Sequence, residues 1–131
     1  MIISSELRSI ASEKLTDAEI LLQSKRFDSA VYLCGYCIEI ALKYRICKTL
    51  NWSGFPSTSK EFEKLKSIRT HDLDVLLSFT GLESQIKSGH IKEWSTISAW
   101  NPEVRYQVAG SVDELNALKM IKSVKIIMAL L

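Results

Sequence analysis

Tyr32, Tyr36, Glu39 and Lys43 follow one another at spacings of four, three and four residues, the repeat that lines side chains along one face of a helix. They lie in the run Asp28 to Leu50, which is apolar on nearly every other face. A helix that is hydrophobic all round belongs at the centre of a bundle, and a carboxylate there needs a partner. Two readings are open. In one, the phenols, carboxylate and ammonium satisfy one another at the bundle edge, with Glu39 and Lys43 as a helical ion pair. In the other, the stripe lines a cleft or a dimer interface, Glu39 orients an arginine from another element, and the tyrosines offer stacking faces to a base. Arg105 is the candidate arginine.

Other residues with chemical potential point elsewhere. Cys34, Cys37 and Cys47 all sit on this same run. An odd number of thiols on one helix argues against a disulfide framework. The Cys34-x-x-Cys37 spacing lacks the second pair that a site of about four zinc ligands needs, and His71 and His90 stand at no metal-ligand spacing. The expectation is reduced core thiols, no metal and no cofactor. Lys119, Lys122 and Lys125 read as the solvated edge of an amphipathic helix, with phosphate contact as the alternative. Trp94 and Trp100 read as anchors of irregular segments to the core, with base stacking as the alternative.

The elements that must position these residues follow from composition and pattern. The chain has 131 residues, 47% hydrophobic and 24% charged, with two prolines and five glycines, a profile of one domain, residues 1–131, built from long helices. Its net charge of +2 is far from the basic excess of a protein that grips nucleic acid by charge alone. The N-terminus has no signal-peptide pattern, and no stretch reaches the roughly 18 apolar residues of a membrane span. A soluble cytoplasmic protein is expected.

The periodicity predicts a first helix from about Ser5 to Ser24, capped by Ser4 or Ser5, and a second opened by Asp28 and stopped near Leu50 by Asn51, Gly54 and Pro56. Together these form an antiparallel hairpin. Ser59 to Ser67 is weakly helical. Asp72 caps a short helix through Phe79, and further short pieces cover Leu82 to Lys87 and Ile91 to Ile97. Trp100 to Tyr106 is a structured loop, since Pro102 disfavours helix before it. Ser111 and Glu114 form a capping box for a last helix ending at Leu131. The predicted fold is all-α: a four-helix up-and-down bundle with additional short helices between the second and last long helices.

The run Phe27-Asp28-Ser29-Ala30-Val31-Tyr32-Leu33-Cys34-Gly35-Tyr36, then Ile38-Glu39-Ile40-Ala41-Leu42-Lys43, followed by His71-Asp72-Leu73 and by Arg105-Tyr106 after a tryptophan-containing loop, resembles the HEPN domain. That superfamily of four- to five-helix bundles is named for higher eukaryotes and prokaryotes and for nucleotide binding. The resemblance implies a homodimer. Many members are metal-independent ribonucleases that dimerise and use an arginine followed after four to six residues by a histidine, the pair converging across the two-fold axis on the scissile phosphate. A histidine there moves the 2′-hydroxyl proton while the arginine steadies the charged phosphorane.

Arg105 lies where that arginine is expected, but no histidine follows it, and the windows after Arg8, Arg26, Arg45 and Arg69 also lack one. Other members work beside a minimal nucleotidyltransferase, or complete the substrate site of kanamycin-nucleotidyltransferase-like enzymes. The first reading is therefore a non-catalytic or degenerate HEPN-like protein that dimerises and binds a nucleotide, RNA or a partner protein such as a nucleotidyltransferase, in the setting of a toxin–antitoxin or defence system. Its ligand residues would be Tyr36, Glu39, Lys43, Arg105 and Tyr106. The alternatives are a ribonuclease in which a displaced His71 serves Arg105, and a purely structural oligomerisation module.

Overall fold

The computed structural model describes residues 1–131. Its first helix, α1 (Ser4–Gln23), buries Leu7, Ala11 and Ala18. The expected serine cap is not used. Ile3 holds the N-cap position without a side-chain bond, because Ile2–Ile3 (β1) pairs antiparallel with Gly54–Phe55 (β2) and the Ser4 N–H donates to the Ser53 carbonyl at 3.0 Å. A short strand thus takes over the task of a cap.

The turn after α1 is a left-handed one. Lys25 has φ of 61°, and the N–H groups of Lys25 and Arg26 donate to the carbonyls of Leu22 and Leu21, the double closure that usually employs glycine. A lysine in that conformation costs about 1 kcal/mol. The next helix, α2 (Phe27–Leu50), ends in the same way at Asn51, where φ is 55°. Asp28 falls within its first turn rather than at its cap.

α2 is the central element, with ten buried residues including Glu39. It packs against α1, against α3 (Leu73–Ser78) and against the last helix, α6 (Glu114–Met128). α4 (Glu83–Gly89) and α5 (Ile91–Ser98) complete the third position of the bundle, with α5 lying along α6. Asp28, at the start of α2, bonds to Gly110 and Val112 just ahead of α6, while Arg45, near its end, reaches the Leu131 carbonyl just beyond it. α6 therefore runs parallel to α2 and antiparallel to α1, as an up-and-down bundle requires.

The remaining caps sort by geometry. Asp72 caps α3 as expected, accepting from the N–H groups of Asp74 and Val75. The Ser111–Glu114 box does not form. Asp113 caps α6 by accepting from Asn116 N–H, and the Ser111 hydroxyl donates back to Val108. Residues 59–65 are turns leading to a 3₁₀ turn at Lys66–Ile68, and α6 stops at Met128 rather than Leu131. The expected loop before α6 contains a 3₁₀ turn, Pro102–Tyr106, capped by the Asn101 side chain.

Trp94 is buried and donates its indole N–H to Asp74 at 2.8 Å, tying α5 to α3. All three cysteines are free and buried. Burial pushes the thiols of Cys34 and Cys37 up to about 12, which leaves almost no thiolate at neutral pH.

Candidate ligand site

The polar face of α2 divides into two ends with an aromatic block between them. At the lower end Glu39, only 3% exposed, accepts from Lys43 Nζ at 3.1 Å and from His71 Nδ1 at 2.8 Å. A carboxylate can only accept, so the proton sits on Nδ1 and Nε2 is the free ring nitrogen. Arg105 is not the partner of Glu39. It stands near Tyr32, seven residues and about 10 Å back along the helix axis from Glu39, while His71 arrives on the segment entering α3.

The block between is built on Gly35. Trp100 lies so close to the bare helix there that a Cβ on residue 35 would meet its indole at 1.9 Å. The buried Trp100 Nε1–H faces this backbone without an acceptor. Tyr36 packs edge-on against Trp100 with ring centroids 5.2 Å apart, against Tyr32 at 5.1 Å and against His71 at 6.5 Å. The two tyrosines occupy the helix turns between His71 and Arg105. Within one chain, His71 and Arg105 thus flank the tyrosine pair from opposite sides.

Arg105 occupies the upper end. Its guanidinium lies 4.7 Å from the ring centre of the exposed Tyr106. Tyr106 first and then Tyr32 raise its pKa, fixing its positive charge. In return, interaction with Tyr36 first and then with Arg105 holds the Tyr32 phenol below its usual range. Burial, followed by the bond to Tyr32, pushes Tyr36 the other way.

A cavity of about 480 Å³ opens here, lined among others by Lys25, Arg26, Asp28, Tyr32 and Arg105. The Asp28 carboxylate accepts from Gly110 N–H at 2.6 Å and Val112 N–H at 2.9 Å, so the one acid at the cavity is committed to holding its far wall. Removing it tests that role. Asp28→Ala is expected to lower stability by about 1–2 kcal/mol, the range of a lost charge-assisted bond in a partly exposed setting, with Asp28→Asn keeping part of it. Chemical denaturation measures both.

Of the residues singled out from sequence, Arg105 lines this cavity and Tyr106 stacks on Arg105. Tyr36 forms the block behind it, and Glu39 and Lys43 belong to the His71 end. Lys25, Arg26 and Asp28 were legible only as a linker and a helix start. Their signal was weak: two adjacent cations at the entry to the most apolar helix of the chain. A second depression of about 450 Å³ lies on the other side of the 3₁₀ turn, lined by His71, Thr70, Ser98, Trp100 and Asn101 among others.

No helix is long and apolar enough to cross a membrane. No curated protein and no solved structure matches the chain. Residues 4–60 match the family model of the HEPN domain, a stretch that takes in α1, α2 and the β1–β2 pairing. That match makes the α1–α2 hairpin of this all-helical bundle similar to the corresponding part of the HEPN domain.

Proposed function

We propose that this HEPN-type bundle is a binding module that holds a nucleotide in the cavity between the start of α2 and the turn carrying Arg105, without cleaving it. The observation that carries the reading is the charge balance of the cavity: Lys25, Arg26 and Arg105 line it, and its single carboxylate is already occupied by two backbone N–H groups. Three cations and no free acid favour a polyanion. The N-terminal end of α2 adds its partial positive charge. Tyr32 and Tyr106 supply aromatic surface for a base.

A second reading, a ribonuclease, draws on the Glu39–His71 pair, in which a buried carboxylate orients an imidazole whose Nε2 is free to act as a base. Within one chain, the tyrosines between His71 and Arg105 weigh against it. Dimerisation and a nucleotidyltransferase partner in a toxin–antitoxin or defence setting rest on the family resemblance, as does the structural-module alternative.

A thermal melt against nucleoside mono-, di- and triphosphates is the test. Ligand at a hundred times its Kd stabilises by about 2.7 kcal/mol, a rise of roughly 8–12 °C for a domain of this size. Arg105→Ala is expected to weaken binding about tenfold to a hundredfold, the value of one lost charge-assisted contact, while leaving the unliganded melt in place. No response to any nucleotide would remove the reading. Cleavage of RNA that disappears in His71→Ala would replace it with the second.

A further inference from the structure

His71 combines an exposed ring with a fixed orientation. Its side chain is 60% exposed, yet Nδ1 is bound at 2.8 Å to Oε1 of Glu39, a carboxylate buried in the core. The other carboxylate oxygen is held by Lys43 Nζ at 3.1 Å, so the acid is fixed from both sides. Tyr36 meets the imidazole edge-on. A carboxylate on one ring nitrogen sets the tautomer and makes the other nitrogen more basic. The lone pair of Nε2 is thus left unengaged on an exposed ring that cannot turn freely, the state of an oriented nucleophile. His90, the only other histidine, pairs with no acid.

The depression of about 450 Å³ that His71 borders also holds Thr70 and Asn101. The Thr70 hydroxyl accepts from Asp72 N–H at 3.0 Å, and the Asn101 side-chain carbonyl accepts from Glu103 N–H at 2.9 Å. Each therefore turns an acceptor toward the backbone, while the Thr70 O–H and the Asn101 amide N–H groups remain open as donors. The two acids of the depression are already engaged. Asp72 accepts from the N–H groups of Asp74 and Val75, and Asp74 accepts from the Trp94 indole and pairs with Lys87 at 3.4 Å. A nucleophilic nitrogen beside open donors suits an electrophile that brings several acceptor oxygens with it. An acyl group brings one, and a phosphoryl group brings three.

We infer that His71 is a phosphoryl-acceptor site, modified at Nε2 by an activated donor of the acyl phosphate or phosphoramidate class, with Glu39 as its positioning residue. The Nε2 lone pair forms the new N–P bond while the P–O or P–N bond of the donor breaks. Its electron pair leaves with the carboxylate or the amine, and nothing is oxidised or reduced. The imidazole becomes a cation that keeps its Nδ1 proton, and the Glu39 carboxylate balances that charge across the existing bond. The phosphoryl oxygens take up the open donors of Thr70 and Asn101. Neither the cavity at the start of α2 nor Arg105 takes part, so this site stands whether or not a nucleotide binds there.

Incubation with phosphoramidate at mildly alkaline pH, where an imidazole is neutral, tests this, read by intact mass and phosphorus NMR. One acid-labile, alkali-stable group per chain is expected, the pattern of a P–N bond and not of a phosphate ester. His90 serves as the reference. Labelling should persist at full rate in His90→Gln and fall about tenfold or more in His71→Gln, where only His90 remains. Glu39→Gln keeps an acceptor for the Nδ1 proton but removes the charge. It should slow labelling about tenfold to a hundredfold, the effect of losing a carboxylate behind a histidine, with a thermal melt confirming the fold. Should that variant fail to fold, the comparison of the two histidines decides alone. No label, equal labelling of both histidines, an acid-stable ester, or a rate indifferent to Glu39→Gln would each overturn the inference.

Discussion

Gly35→Ala is expected to destabilise the protein by about 2–3 kcal/mol, against the usual sign of that substitution in a helix. Glycine inside a helix costs about 1 kcal/mol relative to alanine through backbone entropy, so the exchange should help wherever there is room. Here the new Cβ would lie 1.9, 2.0 and 2.2 Å from Cε2, Cδ2 and Nε1 of Trp100. The indole is 5% exposed and held edge-on by Tyr36, so it cannot swing aside without repacking its neighbours. Overpacking of this kind costs about 1–3 kcal/mol and sometimes more.

A double-mutant cycle separates this contact from a general intolerance of α2. Trp100→Ala alone should cost about 3–5 kcal/mol as a large buried side chain is lost. Adding Gly35→Ala to it should cost nothing further and return up to about 1 kcal/mol, since the obstacle is gone. Because Trp100 leads directly into the turn that carries Arg105, Gly35→Ala should also blunt the nucleotide response. Additive losses in the double variant would mean that the indole does not rest on Gly35.

Helical period carried most of the fold. The α1–α2 hairpin, the broken third position and the last helix all follow from where apolar residues recur, because burial of one stripe decides a helix whatever its caps. Caps were less legible where a competing group stood nearby. Ser4 lost its role to a backbone pairing with residue 53, and Ser111 lost its role to Asp113, two residues closer to the apolar run. Asp28 has the residue type of a cap but serves a bond more than eighty residues away, which no local pattern encodes.

The same limit governs the site. That Glu39 is buried and needs a partner followed from its place in a greasy helix. Which partner, beyond Lys43 one turn on, depended on how the chain returns after Leu50, and His71 rather than Arg105 returns to that level. Gly35 was visible as a glycine inside a helical pattern, a mark of close approach by another element, although the sequence could not say that the element is an indole. Lys25 and Arg26 gain meaning only when the segment before α6 folds over them.

The asymmetry of the Glu39 cluster yields the other large effect. Glu39 is almost fully buried, whereas the side chains of Lys43 and His71 are 20% and 60% exposed. Removing the acid leaves an ammonium and an imidazole that water can still reach. Removing both partners leaves a carboxylate that water cannot. Breaking a buried pair from the wrong side costs about 3–5 kcal/mol, while replacing a whole buried pair by apolar groups is often neutral or better. Lys43→Met with His71→Ala is therefore expected to cost about 3–5 kcal/mol, and Glu39→Met alone far less. Adding Glu39→Met to the destabilised pair should recover most of the loss, a third substitution that restores what two others removed. Urea denaturation of the four proteins decides it. A triple variant no more stable than the double would mean that Lys43 and His71 contribute through packing, for instance of Lys43 over Phe55 and His71 against Tyr36, and not by neutralising Glu39.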